Sequence, residues 1–198
     1  MATNNFIEAS KKERWALKNI FDKHFKLDKK NWEWEIKYTD PFKYDDYDCV
    51  ILKYNKGWSI QQRYIVKMKI RETKYPDYLF ELKKYNKLKF FLYGDRQSEI
   101  LYINTTPEGT FVWNISKMEK ENKLGKIYGL DAPKQSMAEK REYINKKGFL
   151  LKPEDALFKC NWKWDEGEYI QMLREQEMIR RKTNKIMKKG LESFFDSL

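Results

Sequence analysis

The chain has 198 residues and carries 41 Lys and Arg against 30 Asp and Glu, a formal charge of +11. That length can enclose a core without disulfide or metal staples, and 41% hydrophobic with 16% aromatic residues is incompatible with disorder, while 36% charged residues imply a thoroughly solvated surface. Two cysteines, Cys49 and Cys160, make neither a disulfide framework nor a zinc cluster and are expected as buried thiols. No apolar run reaches the length of a membrane span, and the opening MATNNFIEASKKER lacks a signal-peptide core. The expectation is a cytoplasmic or virion-associated protein, and the abundance of Lys, Asn, Ile and Tyr suggests an AT-rich bacterial or phage genome.

In chain order, Ser10-Lys11-Lys12-Glu13 has the form of a capping box, and Leu17, Ile20, Phe21, His24 and Phe25 form the apolar stripe of a first helix. His24 is the chain's one histidine; with no adjacent nucleophile it is expected as a packed or helix-terminal residue. Trp32, Trp34, Ile36 and Tyr38 alternate with charged residues as in a half-exposed strand. Pro41 and the acidic run Asp45, Asp46, Asp48 lead into YDCVIL at 47–52, a second strand, and Asn55-Lys56-Gly57 marks a turn. In the third strand, YIVKMKIRE at 64–72, Tyr64, Val66, Met68 and Ile70 face one way, and Ile65, Lys67, Lys69 and Arg71 the other. Pro76-Asp77 opens a predicted helix through Tyr78, Leu82, Tyr85, Leu88 and Leu92. EILYIN at 99–104 and TFVWNIS at 110–116, joined by Thr105-Thr106-Pro107-Glu108-Gly109, complete a hairpin.

This order over residues 10 to 116 resembles the PD-(D/E)XK, or restriction-endonuclease-like, family: a leading helix, a β-meander with Asp on its second strand and Glu-x-Lys on its third, a helix and further strands. The resemblance implies an α/β (α+β) fold. It implies Asp48 as the first metal ligand, and Lys69 as the lysine that orients water or stabilises the developing phosphorane. Lys67 then stands where the metal-binding Glu is expected, and Glu13 stands where some members place an extra carboxylate, although capping explains it more simply.

Lys67 is a chemical defect on that template. Magnesium demands oxygen ligands, and an ammonium offers no lone pair. A unit charge at about 4 Å interacts by roughly 4 kcal/mol at an effective dielectric near 20, so exchanging attraction for repulsion empties a weak magnesium site. The missing carboxylate could have migrated to Glu72, just past the strand, or to Glu81, where Glu81-Leu82-Lys83 spells E-x-K; the predicted helical spacing makes that match accidental.

Past Ser116, Gly125, Gly129, Pro133, Gly148 and Pro153 punctuate a lysine-rich stretch. The expected organisation is a nuclease-like core at 1–116, an irregular extension packed on it at 117–165, and a basic amphipathic helix with a docking tail at 166–198. Trp162 and Trp164 are expected to pack on the core rather than stack on bases. The last helix runs to about Lys189, with Gly190 as its stop. It carries Arg174, Arg180, Arg181, Lys182, Lys185, Lys188 and Lys189, a candidate DNA-backbone surface or else a solvated face. Its narrow seam Met172, Ile179, Ile186, followed by Phe194 and Phe195, suits a neighbouring subunit. Two functions follow: a catalytically inactive nuclease-fold component of a larger assembly such as a phage particle, associated with DNA non-specifically and needing no cofactor; or an active Mg2+-dependent DNA endonuclease with a migrated ligand.

Overall fold

A computed structural model describes residues 4–195 apart from 25–31, 41, 44, 56–58, 72, 94, 96 and 134–141; side chains of 184–186 and 188–195 also lie outside the description. The chain divides into two units, Met1–Trp164 and Asp165–Leu198.

The first unit is mixed α/β. A leading helix α1 (Asn4–Lys23) precedes the antiparallel meander β1 (Glu33–Tyr38), β2 (Cys49–Tyr54) and β3 (Ile60–Ile70). A short strand β4 (Tyr78–Glu81) runs directly into helix α2 (Leu82–Phe91), and β5 (Ser98–Thr106) then returns parallel to β3. β6 (Gly109–Asn114) pairs antiparallel with β5, and Asn114 caps the short helix α3 (Ile115–Lys120) through its Oδ1, which accepts from the Lys117 amide at 2.9 Å. β7 (Ile127–Pro133), β8 (Tyr143–Leu151), a 3-10 turn at Pro153–Asp155 and β9 (Phe158–Cys160) complete the unit. The large sheet has the order β1-β2-β3-β5-β6-β9, and β4-β8-β7 form a small second sheet.

Burial explains the layering. On one face of the large sheet, Ala16, Leu17, Ile20 and Phe21 of α1 pack on Val66, Met68, Ile103 and Val112, and Trp162 joins them. On the other, Tyr78, Phe80, Tyr85, Leu88, Phe149 and Leu151 cover Ile65, Ile100, Tyr102 and Trp113. β5 lies between both layers, so all but Glu99 of its nine residues are buried, as expected of a strand covered on both sides.

Several expectations change. α1 begins six residues before Ser10, which is therefore a buried mid-helix residue and no cap. Tyr78–Glu81 is a strand and not helix: Tyr78 and Phe80 alternate into the core and pair with Leu151 and Phe149. The extension at 117–165 is largely ordered strand and not irregular loop, since β7 and β8 form a seven-pair ladder and β9 extends the large sheet. In the second unit, α4 (Glu166–Phe195) continues through Gly190, so that glycine does not stop the helix.

The β4–β8 pairing depends on Gly148, where an added Cβ would collide with the Phe80 carbonyl oxygen and press on Leu79 Cδ1 at 2.8 Å. Overpacking against backbone cannot be relieved by a rotamer change. Gly148→Ala is expected to destabilise the first unit by about 1 to 3 kcal/mol, read as a lower midpoint in urea denaturation with an unchanged slope.

Candidate functional site

Asp48 sits immediately before β2, locked by its backbone: its N–H donates to the Val66 carbonyl at 2.8 Å, and its own carbonyl accepts from the Thr39 N–H at 3.0 Å and the Thr39 hydroxyl at 3.1 Å. Its side chain points at β3. Oδ2 accepts from the Met68 N–H at 2.6 Å, and Oδ1 accepts from Lys67 Nζ at 2.8 Å. The Lys67 and Asp48 side chains are only 9% and 8% exposed, making this a buried ion pair. Burial by itself would lower the Lys67 ammonium's pKa, but Asp48 and Glu13 outweigh it and hold the group above its ordinary value.

One step along the same face of β3, Lys69 Nζ lies 3.3 Å from Glu13 Oε1. Glu13 is buried at 9% exposure and comes from α1, so its role is an ion pair in the site and the capping-box reading is withdrawn. Register places Lys67 beside Tyr102 and Lys69 beside Asn104 on β5. Asn104 is fully buried; its Oδ1 accepts from Arg71 Nε at 3.1 Å, and its Nδ2 has no hydrogen-bond partner.

Glu81 ends β4, where its Oε1 lies 3.2 Å from Lys146 Nζ of β8 and 3.7 Å from Lys84 Nζ of α2. Burial pushes the Glu81 carboxyl up, yet Lys84 and Lys146 prevail and hold it below the usual range. Lys84 is the odd cation. Burial, reinforced by the nearby Lys69 and Lys67, pulls its ammonium down to about 7, with Glu81 and Glu13 only partly offsetting them. Glu13, Asp48 and Glu81 thus share a charged cluster with Lys67, Lys69, Lys84 and Lys146, three anions among four cations.

The fold brings Asp48, Lys67 and Lys69 together as expected, with Glu81 near them. Glu72 lies outside the described residues. Asp46 is a surface partner of Lys87 at 2.8 Å, and Asp45 lines a cleft of about 580 Å³ with Tyr38, Val50, Leu52, Arg63 and Phe91, a cleft that contains none of the clustered charges. Lys84 and Lys146 carried no local signal in the sequence.

The resemblance implies a magnesium ion, and the residues present do not fit one in this arrangement. Both oxygens of Asp48 are engaged, one by an ammonium and one by a backbone amide. Glu81 is engaged by two ammonium groups and is not a metal ligand here. Among the described residues no three His, Cys, Asp or Glu side chains gather closely enough to hold an ion.

Of the candidate nucleic-acid surface on α4, Arg180, Arg181 and Lys182 are exposed, and both arginines share Glu177, Arg181 Nε at 3.0 Å and Arg180 at 3.9 Å. The side chains of Lys185, Lys188 and Lys189 lie outside the description, as do those of Ile186, Phe194 and Phe195. Of the described seam, Met172 is half-buried and Ile179 is 64% exposed. Trp162 packs in the core, 5.9 Å from the Trp15 ring, and Trp164 meets the same ring edge-on at 5.6 Å.

Among the described residues no helix is long and apolar enough to cross a membrane. Comparison with family models, with curated proteins and with solved structures gives no match.

Proposed function

We propose that this chain is a restriction-endonuclease-like protein whose metal site is replaced by an internal ion pair, serving as a non-cleaving, nucleic-acid-associated part of a larger assembly such as a phage particle. The observation that carries the reading is the Lys67–Asp48 contact: the ammonium occupies one carboxylate oxygen in the place where the resemblance calls for a second carboxylate. The element order α1-β1-β2-β3-β4-α2-β5, with Asp48 at the second strand and Lys69 on the third, supports the resemblance. Ile179, Met178 and Met187, all more than half exposed on α4, support an assembly surface. The formal charge of +11 supports DNA as the non-specific partner.

A second reading, a magnesium-dependent DNA endonuclease, is favoured by Glu13, a buried carboxylate delivered to Lys69 from the leading helix. It requires Lys67 to release Asp48.

One assay separates the two. Incubated with linear and branched DNA over a series of divalent ions, the protein is expected to retard the DNA with a steep salt dependence and to leave it uncut. Replacing Arg180, Arg181, Lys185 and Lys188 by glutamine is expected to flatten the salt slope. Specific cleavage that vanishes in both Asp48→Asn and Lys69→Ala would establish the endonuclease instead.

A further inference from the structure

Lys84 differs from every other lysine of the cluster in how it is held. Lys67 and Lys69 each have a carboxylate of their own, Asp48 and Glu13, whereas Lys84 shares Glu81 with Lys146, and the shared contact is the longer one at 3.7 Å. Lys84 also stands in the first turn of α2, where the helix dipole is positive and no acidic residue offsets it. Its side chain keeps 30% exposure, enough for a small molecule to reach Nζ. The charged groups that surround it are Lys67 and Lys69 of β3, Glu13 of α1, Glu81 of β4 and Lys146 of β8.

The ground beside it is suited to a substrate. In the small sheet Glu81 pairs with Gly148, and Gly148 pairs with Tyr128 on the outer strand. With no side chain at Gly148, that cross-strand row lies open between the Glu81 carboxylate and Tyr128, which is 45% exposed. Leu130 and Ile144, both more than a third exposed, extend the same face. A cationic cluster bordered by an exposed aromatic ledge favours a ligand with a flat or apolar body and a phosphate.

We propose that Lys84 is a nucleophilic amine that forms an imine with the aldehyde of a phosphate-bearing molecule, with Glu81 as its proton shuttle. The Nζ lone pair of the neutral amine adds to the carbonyl carbon and the carbonyl oxygen takes up a proton. Glu81 accepts the proton shed by nitrogen and delivers it to the carbinol oxygen. The C–O bond then breaks, water leaves and the C=N bond remains. An amine crowded by other ammonium groups is the arrangement that keeps a lysine neutral, and therefore reactive, near pH 7. The depressed value of about 7 for Lys84 agrees with this placement.

Two aldehydes carry this chemistry: a small phosphorylated aldehyde, and the ring-opened sugar of an abasic site in DNA. The test incubates the full-length protein at pH 7 with pyridoxal phosphate in one arm and a duplex holding one abasic site in the other, adds borohydride, and maps the modified residue by mass spectrometry. Lys84 is expected to be labelled roughly ten to a hundred times more than an ordinary exposed lysine such as Lys120, the ratio set by its larger neutral fraction. Lys84→Arg is expected to lose that label. Lys69→Gln, which removes a neighbouring cation and leaves the nucleophile, is expected to move the midpoint of labelling against pH upward. Labelling at Lys84 in the first arm alone assigns a small-molecule substrate, and labelling in the second, with or without the first, assigns DNA. Label distributed over lysines according to exposure in both arms, unchanged by Lys84→Arg, would overturn the proposal.

Discussion

Lys67→Met is expected to destabilise the fold by about 3 to 5 kcal/mol, the cost of leaving the Asp48 carboxylate buried without its counter-ion. Asp48 is 6% exposed and keeps only the Met68 N–H as a side-chain partner once the ammonium is gone, so the charge has no route to solvent. The double variant Asp48→Asn with Lys67→Met is expected to recover most of the loss, because it removes both charges together and the asparagine oxygen still accepts from Met68. Denaturation of wild type, both single variants and the double variant forms the cycle. Equal and additive losses would show that the pair is no more than two independent contacts.

Lys84→Met is expected to do the opposite and stabilise the protein at pH 6 by on the order of 2 kcal/mol, a figure discounted for the partial exposure of the side chain. The folded-state pKa of Lys84 is depressed to about 7 from an ordinary value of 10.5. Between those values the unfolded chain binds the proton that the folded chain has released, so this group makes stability rise with pH over that interval. Below about 7 both states are protonated and the folded state bears the full penalty. Burial raises the Cys49 thiol well above its ordinary value, and that group opposes the trend above pH 9. The informative quantity is therefore the difference between variant and wild type, which should be largest at pH 6 and shrink towards pH 10.

The strand pattern around Lys67 was legible because it is local. Alternation alone puts Lys67 and Lys69 on one face of β3, and the structure keeps Val66 and Met68 on the other. Asp48 was legible for a related reason: it is the member of the acidic run nearest a strand, while Asp45 and Asp46 fall in the preceding loop. The other charges depended on distant partners. Glu13 reaches Lys69 across 56 positions, and in sequence its spacing from Ser10 imitated a cap. β4 is four residues long, too short to declare itself beside the helical pattern of α2, and its partner β8 lies some 70 positions downstream. In β8 the run Asn145-Lys146-Lys147-Gly148 reads as loop, since strands depleted of apolar residues are recognised only through their ladder. Lys84 was illegible altogether: nothing in ELKKY distinguishes it from Lys83, and only the fold surrounds it with other ammonium groups.

The claim at the centre is that the Lys67 ammonium stands where a metal-binding carboxylate would otherwise be. Calorimetric titration of Mn2+ into wild type and Lys67→Glu tests it most directly, since the substitution supplies the oxygen ligand that the template calls for and releases Asp48 Oδ1. The expected result is no saturable heat in wild type and a binding isotherm in Lys67→Glu that Asp48→Asn abolishes. Saturable binding by the wild-type protein, lost in Asp48→Asn, would contradict the claim.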